Sequence, residues 1–312
     1  MTNTQNTHRA RHRNWVAGGM AAAIMLLSAP AHTQDKKPVA AAPHIAVIAH
    51  RGGAMSRPEN TMPAFRHAAA LGAEIIEFDM EMTADDRIVV YHDADINPAF
   101  CFPPKGSKIV PGPVRGLSFA DSQTFDCGSG VRPAYSVKGH VAVPGARIPA
   151  LDEVLSAFQG GDAILFAETK IPKPAPGLAD IDPVKFATML DTAVRKYGLE
   201  DRLILQSFDF RTIDALHDIN PRVRTCLLGA PKLTSDYPAL LRQHHASCIV
   251  LGSAQVDRDG VARLREAGVL VFSDVVDTPA DWEKVSALGM DAIFTNDPAG
   301  LIGFLKQAGL RP

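Results

Sequence analysis

Nine short apolar runs recur from residue 44 to the end of the chain, most of them separated by stretches with helical spacing. The runs are His44–Ala49, Glu74–Met80, Ile88–Tyr91, Ala163–Glu168, Leu203–Gln206, Val223–Leu228, Cys248–Leu251, Val269–Phe272 and Ala292–Thr295. Most are aliphatic or β-branched without strict polar alternation, the pattern of strands covered on both faces. Helical patterns span Thr61–Leu71, Pro183–Tyr197, Phe210–Ile219, Tyr237–His244, Val256–Glu266 and Pro279–Leu288. Gly72 and Gly198 follow the first two of these, where a left-handed glycine commonly ends a helix. Such alternation predicts a parallel α/β fold, and about eight units predict a (β/α)8 TIM-type barrel. An open doubly wound sheet is the alternative, but no G-x-G-x-x-G follows a strand.

Asp95 to Arg147 breaks the rhythm. It is rich in Pro and Gly, has no sustained period, and is too long for an ordinary connection. It is read as an inserted excursion after the second strand unit, either a lid that shapes a substrate pocket or a structural cap. At the N-terminus, Arg9, Arg11 and Arg13 precede the apolar run Trp15–Leu27 and then Ser28-Ala29-Pro30-Ala31. This is the layout of a secretory signal cleaved after Ala31. The run is short for a transmembrane span, and an uncleaved anchor is the competing reading. The resulting organisation is a signal peptide at 1–31, a flexible lead-in at 32–43, and a barrel domain at 44–312 with its insertion at about 95–147. The expected location is outside the cytoplasm, periplasmic or secreted, with no stable membrane insertion after cleavage.

Export changes the meaning of the cysteines. Cys101 and Cys127 flank a Pro/Gly-rich stretch and are candidates for a disulfide, whereas Cys226 and Cys248 sit in apolar runs that suit buried free thiols. The formal net charge of −2 gives no basis for a nucleic-acid partner. A site for an anion must therefore be local.

Titratable residues close several of the strand-like runs. Glu77 and Asp79 lie two apart, so the strand period sends both side chains to one face. Carboxylates this close repel unless a cation intervenes, and their hard oxygens suit Ca2+ or Mg2+; one in solvent and one in a salt bridge is the plain alternative. Glu168 and Lys170 repeat the arrangement after Ala163–Ala167. Glu168 offers a third oxygen and Lys170 a point charge for phosphate, unless the two form only a local ion pair. His50 and His92 also end apolar runs, beside Arg51 and Asp93, and make a candidate acid–base couple. Arg51 offers a planar fork for phosphate oxygens. Gly52-Gly53 allows close backbone approach to a ligand or simply a turn. In Pro58-Glu59-Asn60-Thr61, Asn60 or Thr61 is expected to cap the following helix. Glu59 favours its N-terminus and is also a candidate for contact with the site. Glu81 extends the Glu77/Asp79 face and is a further possible ligand, but is expected beyond the strand, in the Thr83–Asp86 turn. His140, His217, His244 and His245 show no partner pattern and are read as surface residues. Asp257–Asp259 reads as a helix cap.

The ordered set of these segments resembles the glycerophosphodiester phosphodiesterase family. The similarity runs through His50-Arg51-Gly52, Pro58–Thr61, Ala64-Phe65 with Ala68, Gly72-Ala73, Glu77 with Asp79, Thr83 with Asp85, and His92-Asp93. It continues through Arg147–Leu155, Glu168 with Lys170, Gln206–Phe208, and Gly289 to Asn296. The resemblance implies a TIM-type barrel with a divalent-metal site, Ca2+ or Mg2+, held by Glu77, Asp79 and Glu168. It implies His50 and His92 as catalytic histidines, the first as base and the second as acid. Arg51 and Lys170 match phosphate-contacting positions, and the insertion after His92-Asp93 is shared. The implied reaction is hydrolysis of small glycerophosphodiesters to glycerol 3-phosphate and an alcohol. Two departures stand out: Val271-Phe272-Ser273-Asp274 replaces a W-x-V-N-like run, and Asn296 stands where Asp is common. Two other readings are kept. One is a phospholipase D acting on lysophospholipids or sphingolipids, hinted at by Phe100 and Phe102. The other is a non-catalytic exported phosphoester-binding protein. Oligomeric state is left open.

Overall fold

The computed structural model describes residues 44–230 and 236–312. The signal-peptide and lead-in readings lie outside the described residues. Strands β1 (Ala46–Ala49) and β2 (Ile75–Met82) lie side by side in parallel, and β3 (Ile88–Val90) folds back on β2. Strands β4 (Ile164–Thr169), β5 (Leu203–Ser207), β6 (Arg224–Leu227), β7 (Cys248–Leu251), β8 (Leu270–Val275) and β9 (Ala292–Thr295) continue the sheet. Every neighbouring pair from β2 through β4 to β9 is parallel, and β9 pairs with β1. Eight parallel strands therefore close a TIM barrel. All nine apolar runs form strands, but Ile88–Tyr91 is not a barrel stave. Thr83–Arg87 is too short for a parallel crossover, so β3 pairs antiparallel with β2.

The helices, among the described residues, are α1 (Met62–Leu71), α2 (Phe119–Ser122), α3 (Leu151–Phe158), α4 (Pro183–Tyr197), α5 (Phe210–Ile219), α6 (Tyr237–Gln243), α7 (Arg258–Glu266), α8 (Pro279–Ala287) and α9 (Pro298–Gln307). Of the two candidate caps, Thr61 holds α1, its hydroxyl accepting from the Ala64 amide. Asp257 caps α7 as expected. Besides the four-residue α2, the sequence pattern omits α3 and α9. The first is short and follows an irregular segment, while Gly300 and Gly303 lower helix propensity in the second. Packing decides both: Leu151, Val154, Leu155 and Phe158 are buried on α3, and Leu301 and Leu305 on α9.

Inward side chains Ile48, Phe166, Ile204, Phe272 and Phe294 fill the barrel, and a larger apolar layer lies between strands and helices. Phe166 meets the rings of Phe272 and Phe294 at centroid distances of 5.6 and 5.5 Å. Truncating such a residue to Ala typically costs about 3–5 kcal/mol.

The excursion has its own small core, in which Phe100, Val114 and Phe125 pack with Ile96 and Ile148. Cys101 and Cys127 are bonded within it. The expectation of free thiols at Cys226 and Cys248 is overturned, for these two are also joined. They are register partners on adjacent β6 and β7, a pairing that neither local run can reveal. Phe100 is buried in the excursion core, whereas Phe102 is exposed, and neither faces the cavities described below.

Candidate active site

Strand register assembles the charged groups at the C-terminal ends of the barrel strands. Asp79 is level with Glu168, and Glu168 with Gln206, while Glu77 shares the inward face of Asp79. Glu77, Asp79 and Glu168 are all buried, and each offers an oxygen within 4.8 Å of the others. Burial, then Asp79 and Glu168, pushes the Glu77 carboxyl well above the carboxylate range. Burial and the Asp79 charge likewise raise Glu168 to about 7. Burial would also raise Asp79, but Lys170 and Arg51 outweigh it and hold the group ionised. The Lys170 ammonium lies 3.0 Å from Asp79 Oδ1 and is paired with Glu168.

These residues fit a hard divalent cation. Three buried oxygen donors converge, two of them disfavoured as anions by burial and then by mutual repulsion. Asp79 Oδ1 is buried with only its Lys170 ion pair, and the adjacent Gln206 Oε1 is buried without a hydrogen bond. The Gln206 amide donates to Glu77 Oε1 at 2.9 Å, which orients that ligand candidate.

His50 and Arg51 follow β1 directly in a tight turn. Arg51 takes a left-handed backbone at φ 51°, a conformation costing about 1–3 kcal/mol in a residue with a side chain. The turn is fixed because the Arg51 amide donates to Glu77 Oε2 at 2.7 Å. A side chain at Gly52 would meet Ala64 Cβ at 2.8 Å, so Gly52 serves the turn's packing on α1 rather than approach to a ligand. The Arg51 guanidinium bonds Glu59 at 3.1 Å and lies 3.5 Å from Asp79 Oδ2. Asn60 does not cap α1; its amide donates to Asp79 Oδ2 at 2.7 Å.

The two histidines have different partners. His50 Nδ1 lies 2.8 Å from Asn296 Oδ1, and Asn296 Nδ2 donates to Asp277 Oδ2 at 2.8 Å. Since Asp277 only accepts, the Asn296 oxygen must face His50, so Nδ1 carries the proton and Nε2 keeps its lone pair. Burial and Arg51 lower the His50 pKa to about 3. His92 Nδ1 instead lies 2.6 Å from Asp93 Oδ1. Both rings face a cavity of about 310 Å³ with Arg51, Glu77, Glu168, Lys170 and Gln206, walled by Phe208, Leu228, Val250, Asp274 and Phe294. A larger groove of about 830 Å³ continues outward from His92 and Lys170 along Ile171, Pro172, Phe208, Phe210 and Arg211.

The sequence-selected residues His50, Arg51, Glu77, Asp79, His92, Glu168 and Lys170 thus come together. Glu59 does not face either cavity; its oxygens are taken by Arg51 and Arg132. Glu81 is not in a turn. β2 extends to Met82, so Glu81 is a buried strand residue that reaches the outer groove, and burial pushes its carboxyl well above the usual range. His244 is not unpartnered either, for its ring lies 2.8 Å from Asp214 Oδ1, and His217 stacks on His245. Sequence reasoning assigned no role to Gln206, although it ends an apolar run level with Glu168. Arg132 carried no local signal at all.

The sequence profile of the glycerophosphoryl diester phosphodiesterase family matches residues 50–300. A glycerophosphodiester phosphodiesterase of Bacillus subtilis is 27% identical over 280 residues, covering 88% of this chain and 91% of that protein. One from Caldanaerobacter subterraneus is 28% identical, covering 84% and 98%. A crystal structure assigned to the glycerophosphoryl diester phosphodiesterases, from Silicibacter pomeroyi, superposes with a TM-score of 0.77 at 25% identity, covering 86% of this chain and 95% of the other.

Proposed function

The chain belongs to the glycerophosphoryl diester phosphodiesterase family, and from this we propose a hydrolase that cleaves glycerophosphodiesters to glycerol 3-phosphate and an alcohol by His50/His92 acid–base catalysis. The observation that carries the mechanism is the pairing of two histidines, one on a neutral amide and one on a carboxylate, across one cavity from the buried carboxylates. The Nε2 lone pair of His50 accepts the proton of the oxygen attacking phosphorus. As the bond from phosphorus to the alcohol oxygen breaks, His92 donates a proton to that oxygen. Arg51 and Lys170 place positive charge around the phosphate and stabilise the extra negative charge of the transition state. The bound diester's own negative charge opposes the depression that Arg51 imposes on His50. A divalent cation, Ca2+ or Mg2+, held by Glu77, Asp79 and Glu168 supplies Lewis-acid polarisation of a phosphoryl oxygen when bound.

The test is a panel of glycerophosphodiesters with each cation, read as released glycerol 3-phosphate. Binding of these diesters without turnover under any cation would sink the reading in favour of a binding protein. The outer groove favours a second reading. Its apolar wall of Ile171, Pro172 and Phe210, with Phe208 66% exposed, suits the acyl chain that a lysophospholipid carries on its glycerol. Faster release of choline from a long-chain lysophospholipid than from glycerophosphocholine would select it.

We also infer export. The signal-like N-terminus and the two disulfides support an oxidising compartment, and no helix of the described residues is long and apolar enough to cross a membrane. Detection of a chain beginning at His32 outside the cytoplasm is the expected result.

A further inference from the structure

We propose that Arg132, carried by the excursion, is a positioning residue that ties the phosphate-facing Arg51 to the carboxylate-paired His92. The inference rests on the catalytic reading above and assigns the excursion a part in it. Arg132 is 73 positions from Glu59 and 39 from Asp93 in sequence, yet it bonds both. Its Nε donates to Glu59 Oε2 at 2.8 Å and its Nη2 to Glu59 Oε1 at 2.9 Å, a two-pronged grip that only a guanidinium makes. The same Nη2 donates to Asp93 Oδ2 at 2.8 Å. Glu59 Oε1 also accepts from Arg51 at 3.1 Å, and Asp93 Oδ1 meets His92 Nδ1 at 2.6 Å. The result is an alternating row of charges, Arg51–Glu59–Arg132–Asp93–His92, in which Arg132 is the only member from the excursion.

The arm itself is held. The Arg132 guanidinium lies over the Phe100 ring, 4.6 Å from its centroid. Gly130 packs so closely on Phe100 that a side chain there would meet the Phe100 Cα at 2.6 Å. Cys101, next to Phe100, is bonded to Cys127 on the approach to Gly130. Arg132 lines neither cavity, so it acts through its carboxylates rather than on substrate. Without it, Glu59 and Asp93 each lose a fixed charged partner, and the groups they hold gain freedom at the moment of proton transfer.

The test measures glycerophosphodiester hydrolysis by Arg132→Met, Arg132→Lys, Asp93→Asn and the doubles with Asp93→Asn, with folding followed by Trp282 fluorescence. Arg132→Met keeps an apolar stem over Phe100. The expected result is kcat lower by about tenfold or more, KM within about threefold, and partial recovery in Arg132→Lys. The Asp93→Asn loss should be at least about fivefold smaller in the Arg132→Met background than in the wild type. A residue that only anchors the loop would give additive losses in kcat, and that outcome overturns the proposal, as does an unchanged kcat in folded Arg132→Met. If Arg132→Met does not fold, the same cycle on Arg132→Lys decides. A wild type that fails to turn over any diester strikes the proposed function instead, so the two failures are separable.

Discussion

His50 and Asn296 face each other across the closure of the barrel, Nδ1 to Oδ1 at 2.8 Å, although 246 positions separate them in the chain. Because Asp277 accepts from the Asn296 amide, the contact can only run from His50 Nδ1–H to the Asn296 oxygen. Asn296→Leu keeps the volume but removes that acceptor. A transition-state loss near the usual worth of one hydrogen bond corresponds to about a tenfold fall in kcat. Steady-state kinetics on glycerophosphodiesters checks this; unchanged kcat would show that the tautomer needs no support.

The histidines themselves should matter more. His50→Ala and His92→Ala each remove a proton-transfer group, and general acid–base groups typically contribute about 10²–10⁴-fold. Both substitutions sit at the barrel mouth outside the apolar clusters, so the fold should survive, as circular dichroism would show. Near-normal turnover in both folded single variants would refute the assignment.

His50 also gives stability a pH dependence. Its folded pKa is depressed to about 3, whereas in the unfolded chain it titrates near 6.5. Between those values the unfolded state binds the extra proton, so stability from this group is complete above pH 6.5 and lost as pH falls toward 3. Denaturant midpoints of wild type and His50→Gln should therefore differ in slope across that window, the variant being flatter. Parallel curves would contradict a His50 ring held neutral in the folded state.

Much of this site is legible in the sequence because barrel strands end in a simple way. An apolar run followed by Glu168 or His50 announces a polar group at a strand terminus, and the two-residue period puts Glu77 beside Asp79. What the sequence hides is register and long-range return. Nothing local levels Gln206 with Glu168, joins Cys226 to Cys248 across β6 and β7, or sends Arg132 back to Glu59 and Asp93. Glu81 was misplaced because β2 runs two residues past Met80 to pair with β3, a hairpin whose partner strand lies outside the barrel.

Cation binding should compete with protons. Burial and Asp79 raise the Glu168 carboxyl to about 7, so below that pH it must release a proton before it can serve as a ligand. Calorimetric titration with Ca2+ is expected to show weaker binding at pH 5.5 than at pH 8, with proton release that grows as pH falls. Chelation should abolish activity, and Ca2+ or Mg2+ should restore it. Binding insensitive to pH across this range would mean that Glu168 is not a ligand.

The Cys101–Cys127 bond closes a loop of 26 positions, which in the chain-entropy account constrains the unfolded state by about 3–4 kcal/mol. Whether the barrel feels that depends on cooperativity. The excursion core shares Val89 and Tyr91 with the β2–β3 hairpin, and Ile148 leads directly into α3, so the excursion is packed into the barrel's edge rather than hung from it. The Cys101→Ser/Cys127→Ser double variant should therefore lower the denaturant midpoint seen by Trp282, a buried reporter on α8 far along the chain from the excursion. Full transmission gives a loss near the chain-entropy figure. A Trp282 transition that does not move, with the excursion melting on its own, would show instead that the barrel folds without it.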